Sequence, residues 1–155
     1  MGRFWDKFTG TEYPDSGVVP LSAAEVRSAL LALNGAETPF RVRNALPAEK
    51  ADLVAERRIK EVGVTLKTRM RLDPKNREVR TLTERWEASS PDHSGGRYGR
   101  GQMITVYRQW EYERGPDGRR RKVETFRFDT RDMRMPLLKT VLSAGWTWRG
   151  VLFRW

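Results

Sequence analysis

Apolar and polar residues alternate with period two along most of the chain, in runs separated by turn residues. Phe40 and Val42 alternate with Arg41 and Arg43 and stop near Pro47, which reads as a strand. Asp52 to Ile59 is a weaker strand, with Leu53, Ala55 and Ile59 on one side. In the clearest run, Val62, Val64, Leu66, Met70 and Leu72 alternate with Glu61, Thr65, Lys67, Arg69 and Arg71. Asp73-Pro74-Lys75-Asn76 then turns the chain, Pro pre-setting φ and Asn tolerating a left-handed conformation. A return strand over about 77–87 ends in Leu82 and Trp86. After a loop of turn residues over 88–101, Ile104, Val106, Trp110 and Tyr112 alternate with Met103, Thr105, Tyr107 and Gln109. Gly115-Pro116-Asp117-Gly118 is a second strong turn, and Lys122 to Phe128 returns with Phe126 and Phe128 on one face.

Two segments have helical spacing instead. Ser22 with Glu25 three residues on forms a capping box, and Val26, Leu30 and Leu33 follow in step, so a helix is expected at about 23–33, stopped by Asn34-Gly35. Met133 to Leu142 carries Leu138 and Leu142 in step, with Gly145 as its stop. The tail from Trp146 to Trp155 alternates again and adds a possible final strand. Short hairpin connections favour antiparallel pairing. The fold class is therefore α+β: an antiparallel sheet of about six strands built from hairpins, with an N-terminal and a C-terminal helix packed on it. Residues 21–155 form the single domain and residues 1–20 an arm, broken by Pro14, Gly17 and Pro20. Phe4, Trp5 and Phe8 of the arm fall near one face of a short helix beside Arg3 and Lys7. Such a face packs back on its own domain or rests on a membrane surface.

Three segments carry a resemblance. Ala45-Leu-Pro-Ala-Glu-Lys-Ala-Asp-Leu-Val-Ala-Glu56, Arg71-Leu-Asp-Pro74 with Arg77-Glu-Val79, and Ala144-Gly-Trp-Thr-Trp-Arg-Gly-Val151 together resemble an uncharacterised family of small proteins from high-GC bacteria. The similarity runs over most of residues 21–155 and implies no activity.

The charge is positive and lopsided. The 155 residues carry a formal +10, from 30 Lys and Arg against 20 Asp and Glu. Residues 1–50 are net neutral, residues 51–100 are +4 and residues 101–155 are +6. Of the cations 23 are Arg and 7 Lys, as a GC-rich genome would spell them, so Arg abundance alone does not argue for phosphate binding. The surplus of positive charge in the second part does point to a polyanion or an acidic protein surface. The longest apolar stretch, Ala29 to Leu33, is far short of the roughly 20 residues of a transmembrane span. Met1 to Phe8 has no apolar core of a secretory signal. Cytoplasm is the expected location.

Catalytic constellations are missing. Cys is absent, which removes disulfides, thiol nucleophiles and thiolate metal sites. His93 is the only histidine and lies in the Gly/Ser-rich loop without an orienting partner, and one His cannot make a zinc site. No phosphate-cradling glycine motif is present, so no cofactor is expected. The sequence reads as a non-enzymatic binding or protein-interaction module. One alternative is weak, sequence-blind nucleic-acid binding through basic hairpins. Lys67, Arg69 and Arg71 share one strand face, Arg97, Tyr98 and Arg100 lie in an Arg-Gly loop, and Arg119, Arg120, Arg121 and Lys122 crowd a hairpin tip. Cross-strand Glu78, Glu84 and Glu124 are candidates to neutralise some of them. The other alternative is a small apolar ligand between sheet and helix, in a cup lined by Trp86, Trp110, Trp146 and Trp148.

Overall fold

In the computed structural model, which describes residues 2–88, 97–101, 104–152 and 155 (of residues 2, 3 and 97 the backbone alone), each alternating run is a strand. In chain order the elements are α1 (Gly2–Thr9), α2 (Ala23–Leu31), β1 (Arg41–Asn44), β2 (Leu53–Ile59), β3 (Val64–Asp73) and β4 (Glu78–Glu87). Then follow β5 (Arg97–Arg100), β6 (Val106–Arg114), β7 (Arg120–Asp129), α3 (Arg131–Ser143) and β8 (Thr147–Gly150). The fold is α+β. Strands β1 to β5 run in that order, antiparallel throughout, and among the described residues β6 and β7 pair only with each other.

The ten-residue pairing of β3 with β4, from Val64 opposite Glu87 to Asp73 opposite Glu78, is the spine of the sheet. The far edge of β4 is shared. Its second half pairs antiparallel with β5 and its first half parallel with β8. Because side chains alternate, the register sends Leu53, Ala55, Ile59, Val64, Leu66, Met70 and Val79 to one face. There they meet Val26 and Leu30 of α2, Leu137, Leu138 and Val141 of α3, and Trp146 and Trp148 around β8. Ser22 and Glu25 close the expected capping box of α2.

Three local details differ from the sequence reading. Val62 lies in a one-turn 3-10 helix, Lys60–Val62, which joins β2 to β3. At the β3–β4 turn the left-handed residue is Arg77 (φ 48°), while Asn76 instead donates its side-chain amide to Asp73 at 2.8 Å. Within the loop expected over 88–101, residues 97–100 form the edge strand β5. No alternation marks it, because Gly99 and two arginines supply no apolar face.

The arm docks on the domain through its polar residues. Glu12 and Trp148 exchange backbone hydrogen bonds of 2.9 and 2.8 Å, and the Thr11 hydroxyl accepts from the Gly150 amide at 3.0 Å. Thr9 passes so close to Gly150 that a Cβ there would lie 1.9 Å from the Thr9 carbonyl oxygen. The aromatic face of α1 points outward: Phe4 is 85% and Phe8 61% exposed, and the Trp5 ring lies tilted by 34° to the Phe8 ring, with centroids 5.7 Å apart. Among the described residues no helix is long and apolar enough to cross a membrane. Gly150→Ala should therefore lift the arm. Tryptic cleavage after Lys7 is expected to speed up about tenfold, while the domain loses the roughly 1–3 kcal/mol typical of overpacking. Cleavage at the wild-type rate would show that the arm is not held at this contact.

Candidate nucleic-acid interface

The face of the sheet turned away from the helices is ionic, and its charges are ordered. Strand register lines up Arg41, Glu56, Lys67, Glu84 and Arg100 across β1 to β5, a ladder of alternating sign. A second acid enters from outside the strands. The one-turn helix Pro47–Glu49 lays Glu49 over this face, where its carboxylate takes both Arg43 Nη atoms at 2.7 and 2.9 Å and the Leu46 amide at 2.7 Å. Lys67 Nζ lies 3.5 Å from the same carboxylate and 5.6 Å over the Trp86 ring. The bidentate Arg43 bond, against some opposing burial, holds the Glu49 carboxyl down to about 2.

Lys67, Arg69 and Arg71 share this face as expected, but it is not an open cationic patch. Arg69 Nε is 2.6 Å from Glu84 Oε1, off the hydrogen-bonding line, and Glu84 is only 2% exposed. Glu84 also takes the Tyr98 hydroxyl, onto which Arg100 Nε donates at 2.6 Å. Burial first, and then Glu84, push the Tyr98 phenol up. Arg71 donates to the carbonyls of Lys50 (2.8 Å) and Trp155 (2.7 Å) and stacks 4.8 Å over the Trp155 ring. It stands in register with Arg80 and Arg149. Arg149 is held by Glu78 at 3.0 Å and faces Asp6 at 3.6 Å. Of the expected neutralisers Glu84 acts on this patch, Glu78 acts on Arg149, and Glu124 lies on the β6–β7 ribbon, opposite Trp110. Glu49 and Glu56 do most of the rest. The Arg97 side chain lies outside the described residues, as does His93.

The remaining candidates lie on the β6–β7 ribbon. Its root is anchored: Tyr107 and Phe128 face each other in the core, Arg57 covers the Phe128 ring at 5.2 Å, and Thr105 and Thr130 exchange two hydrogen bonds of 3.0 Å. Beyond Gln109 both faces of the ribbon are largely solvent-exposed. There the register slips by one: Gln109 stands opposite Phe126 but Trp110 opposite Glu124. The bulge takes up Thr125 and re-aims every β7 side chain beyond it. Uninterrupted alternation would have placed Lys122 and Arg120 on the same side as Phe126 and Phe128. With the bulge they join Trp110 and Tyr112.

One ribbon face thus carries Arg108, Trp110, Tyr112 and Arg114 from β6, and Arg120, Lys122, Glu124 and Arg127 from β7, with Glu124 directly opposite Trp110. Trp110 is 41% and Tyr112 71% exposed, and Lys122 Nζ sits 5.0 Å over the Trp110 ring. Among the described residues none of these five cations lies within ion-pairing distance of a carboxylate. The hairpin tip is split, contrary to the crowding expected from sequence. Arg121 stands on the opposite face, directly across from Glu113, and Arg119 belongs to the turn, its amide donating to Asp117 at 3.1 Å. Arg108, Tyr112, Arg114 and Arg127 were not singled out by sequence reasoning. The parity of Arg108 to Arg114 was visible in the alternation, but the bulge that brings Arg120 and Lys122 to them was not.

The four tryptophans do not form a cup. Trp146 and Trp148 are core residues, Trp86 is on the ionic face of the sheet, and Trp110 is on the ribbon. Among the described residues no group of three or more His, Cys, Asp or Glu side chains gathers as a metal site. Comparison with protein-family models, curated proteins and solved structures gave no match.

Glu49 supplies a test of the charge pairing. Its carboxyl is depressed in the fold, so its stabilisation is complete above the unfolded value and fades as pH falls from about 4.5 towards about 2. Glu49→Gln should cost on the order of 2 kcal/mol at neutral pH. In urea titrations the gap to wild type should narrow below pH about 4 and close near pH 2. A gap independent of pH would show that Glu49 acts through packing alone.

Proposed function

We propose that the chain is a non-catalytic binding module that takes single-stranded nucleic acid on the β6–β7 ribbon. The observation that carries this is the sorting of cations. On the sheet most are held by Glu49, Glu56, Glu78 and Glu84 or by carbonyls, whereas the ribbon face gathers five cations that make no direct ion pair, with Glu124 as the one acid beyond its root, and sets two exposed aromatic rings among them. Cations along a backbone track neutralise phosphates, and interleaved rings offer stacking platforms for bases. Bases are open to stacking in single strands and not in a duplex, so the two rings favour single strands. Arg and Lys on an edge strand also deter unwanted sheet pairing. Edge protection does not require that the cations gather on one face with the aromatics, or that a bulge move Arg120 and Lys122 there.

Arg120 and Arg121 are chain neighbours on opposite faces, which makes the reading sharply testable by fluorescence anisotropy with a labelled single-stranded oligonucleotide. Arg120→Glu should weaken binding about tenfold, and Arg121→Glu and Lys67→Gln much less. Three or four phosphate contacts give a log–log salt slope of about −2 to −3 on single strands. Tyr112→Ala should cost about 1–3 kcal/mol on single strands and little on duplex. Equal effects of Arg120→Glu and Arg121→Glu would contradict the one-face geometry. Undetectable binding at low salt would remove nucleic acid and leave an acidic protein surface as the partner of the ribbon.

A further inference from the structure

Helix α1 sits on the domain the wrong way round for an amphipathic helix. Such a helix normally buries its apolar stripe and leaves its polar residues to water. Here Asp6 and Thr9 face the domain. Asp6 accepts the Tyr13 hydroxyl at 2.7 Å and lies 3.6 Å from Arg149, and buried Thr9 shares a 2.8 Å hydrogen bond with Thr11. Phe4, Trp5 and Phe8 take the outer side, exposed by 85%, 47% and 61%, and Lys7 is exposed between them. Phe4 and Phe8 stand one helical turn apart. The chain just past α1 is anchored by the Glu12–Trp148 and Thr11–Gly150 hydrogen bonds. Rolling α1 to bury its rings would break the Asp6 contacts and the Thr9–Thr11 bond.

The charge beside the rings is mainly positive. Arg134 of α3 donates to the Gly10 carbonyl at 3.1 Å, which sets α3 next to the end of α1, and Met135 and Phe8 border one cleft. The exposed row of α3 is Arg131, Met135 and Lys139, at intervals of one turn, with Asp132 as the exposed acid next to it. Arg131 is paired with Asp129 at 2.6 Å. Lys7 and Lys139 make no ion pair among the described residues. The one acid of α1, Asp6, is turned inward to Tyr13 and Arg149.

A second copy of the chain fits this face poorly. Three aromatic rings exposed to that extent offer about 400 Å², about half of the roughly 800 Å² that each partner gives to a standard interface. Two chains of net charge +10 also repel each other. An anionic lipid surface needs neither a large area nor a matching shape. It takes Trp and Phe rings at the level of its headgroups and attracts the cations around them.

We propose that α1 lays Phe4, Trp5 and Phe8 into the headgroup region of an anionic bilayer, with Lys7, Arg131 and Lys139 against the lipid phosphates. The helix lies on the membrane and does not cross it. Its eight residues give weak, reversible binding that needs both the rings and the charge. This surface is separate from the β6–β7 ribbon and from any nucleic acid there.

The test is partition of the full chain onto vesicles of phosphatidylcholine and phosphatidylglycerol in equal parts. Binding should be at least about tenfold tighter than to phosphatidylcholine alone. Phe4→Ser, a change at an exposed position that leaves the domain intact, should weaken it about tenfold. Arg120→Glu on the ribbon should weaken it far less. Lipid brominated on its acyl chains should quench the tryptophan fluorescence of the bound protein. Trp5→Phe, which keeps an aromatic ring, should still bind but lose most of that quenching. Unchanged binding in Phe4→Ser, an equal loss in Arg120→Glu, or quenching that survives Trp5→Phe would place the lipid on another surface and overturn the proposal. Equal binding to phosphatidylcholine alone would overturn the anionic partner. A chain that ignores both vesicles and sediments as a dimer until Phe4 is replaced would assign the face to a second copy instead.

Discussion

The pairing of β3 with β4 over ten residues is the constraint on which the rest depends. Because side chains on a strand alternate, a slip of one residue in that register would turn every side chain of one strand to the other face. The actual register sends Leu66, Met70 and Val79 to the helices and puts Lys67 opposite Glu84 on the other side. The core and the ionic ladder are two consequences of one alignment. Each argues against slippage: a shift would expose the apolar row and set like charges face to face. The free edge of β4 then receives β5 and β8, and β8 receives the arm through Glu12 and Thr11.

The ribbon departs from this logic. Among the described residues no third strand pairs with it past Tyr107 and Phe128, and a two-stranded hairpin is marginal by itself in water. Its root is well held, by core packing, by the Arg57 contact on Phe128 and by the Thr105–Thr130 pair. A rigid root with an exposed, bulged, aromatic and cationic outer part is the arrangement of a contact element rather than of a core strand. The opposite face, with Glu111 and Glu113 against Arg121 and Val123, has no such bias, so the ribbon is sided.

Much of the fold was legible because period two survives in each paired run, and because Ser22, Glu25 and Gly145 mark helix ends by local chemistry. β5 was not, since Arg97-Tyr-Gly-Arg100 has no alternation and becomes a strand only because β4 offers an edge. The Glu49 contribution was also invisible. A 3-10 turn brings it to Arg43 and Lys67, and such pairing over distant chain positions leaves no mark in spacing. The candidate site was half legible. Arg119 to Lys122 stood out as a cluster and Trp110 as an aromatic, but period two continued along 120–128 puts Lys122 on the face of Phe126. The bulge at Thr125 reverses that parity, and a single inserted residue carries no signal in composition or hydropathy. The tryptophan cup failed for a related reason: a count of large aromatics does not say which sheet face each one takes.

The central claim is that polyanion contact belongs to the ribbon because most cations of the sheet are held within the protein. The six indole N–H resonances separate the two surfaces, since Trp110 lies on the ribbon beneath Lys122 and Trp86 on the sheet beneath Lys67. In a titration with an unlabelled single-stranded oligonucleotide at low salt, the Trp110 indole should shift progressively while Trp86 stays in place. Movement of Trp86 with Trp110 unmoved would put the contact on the ionic face of the sheet and contradict the account.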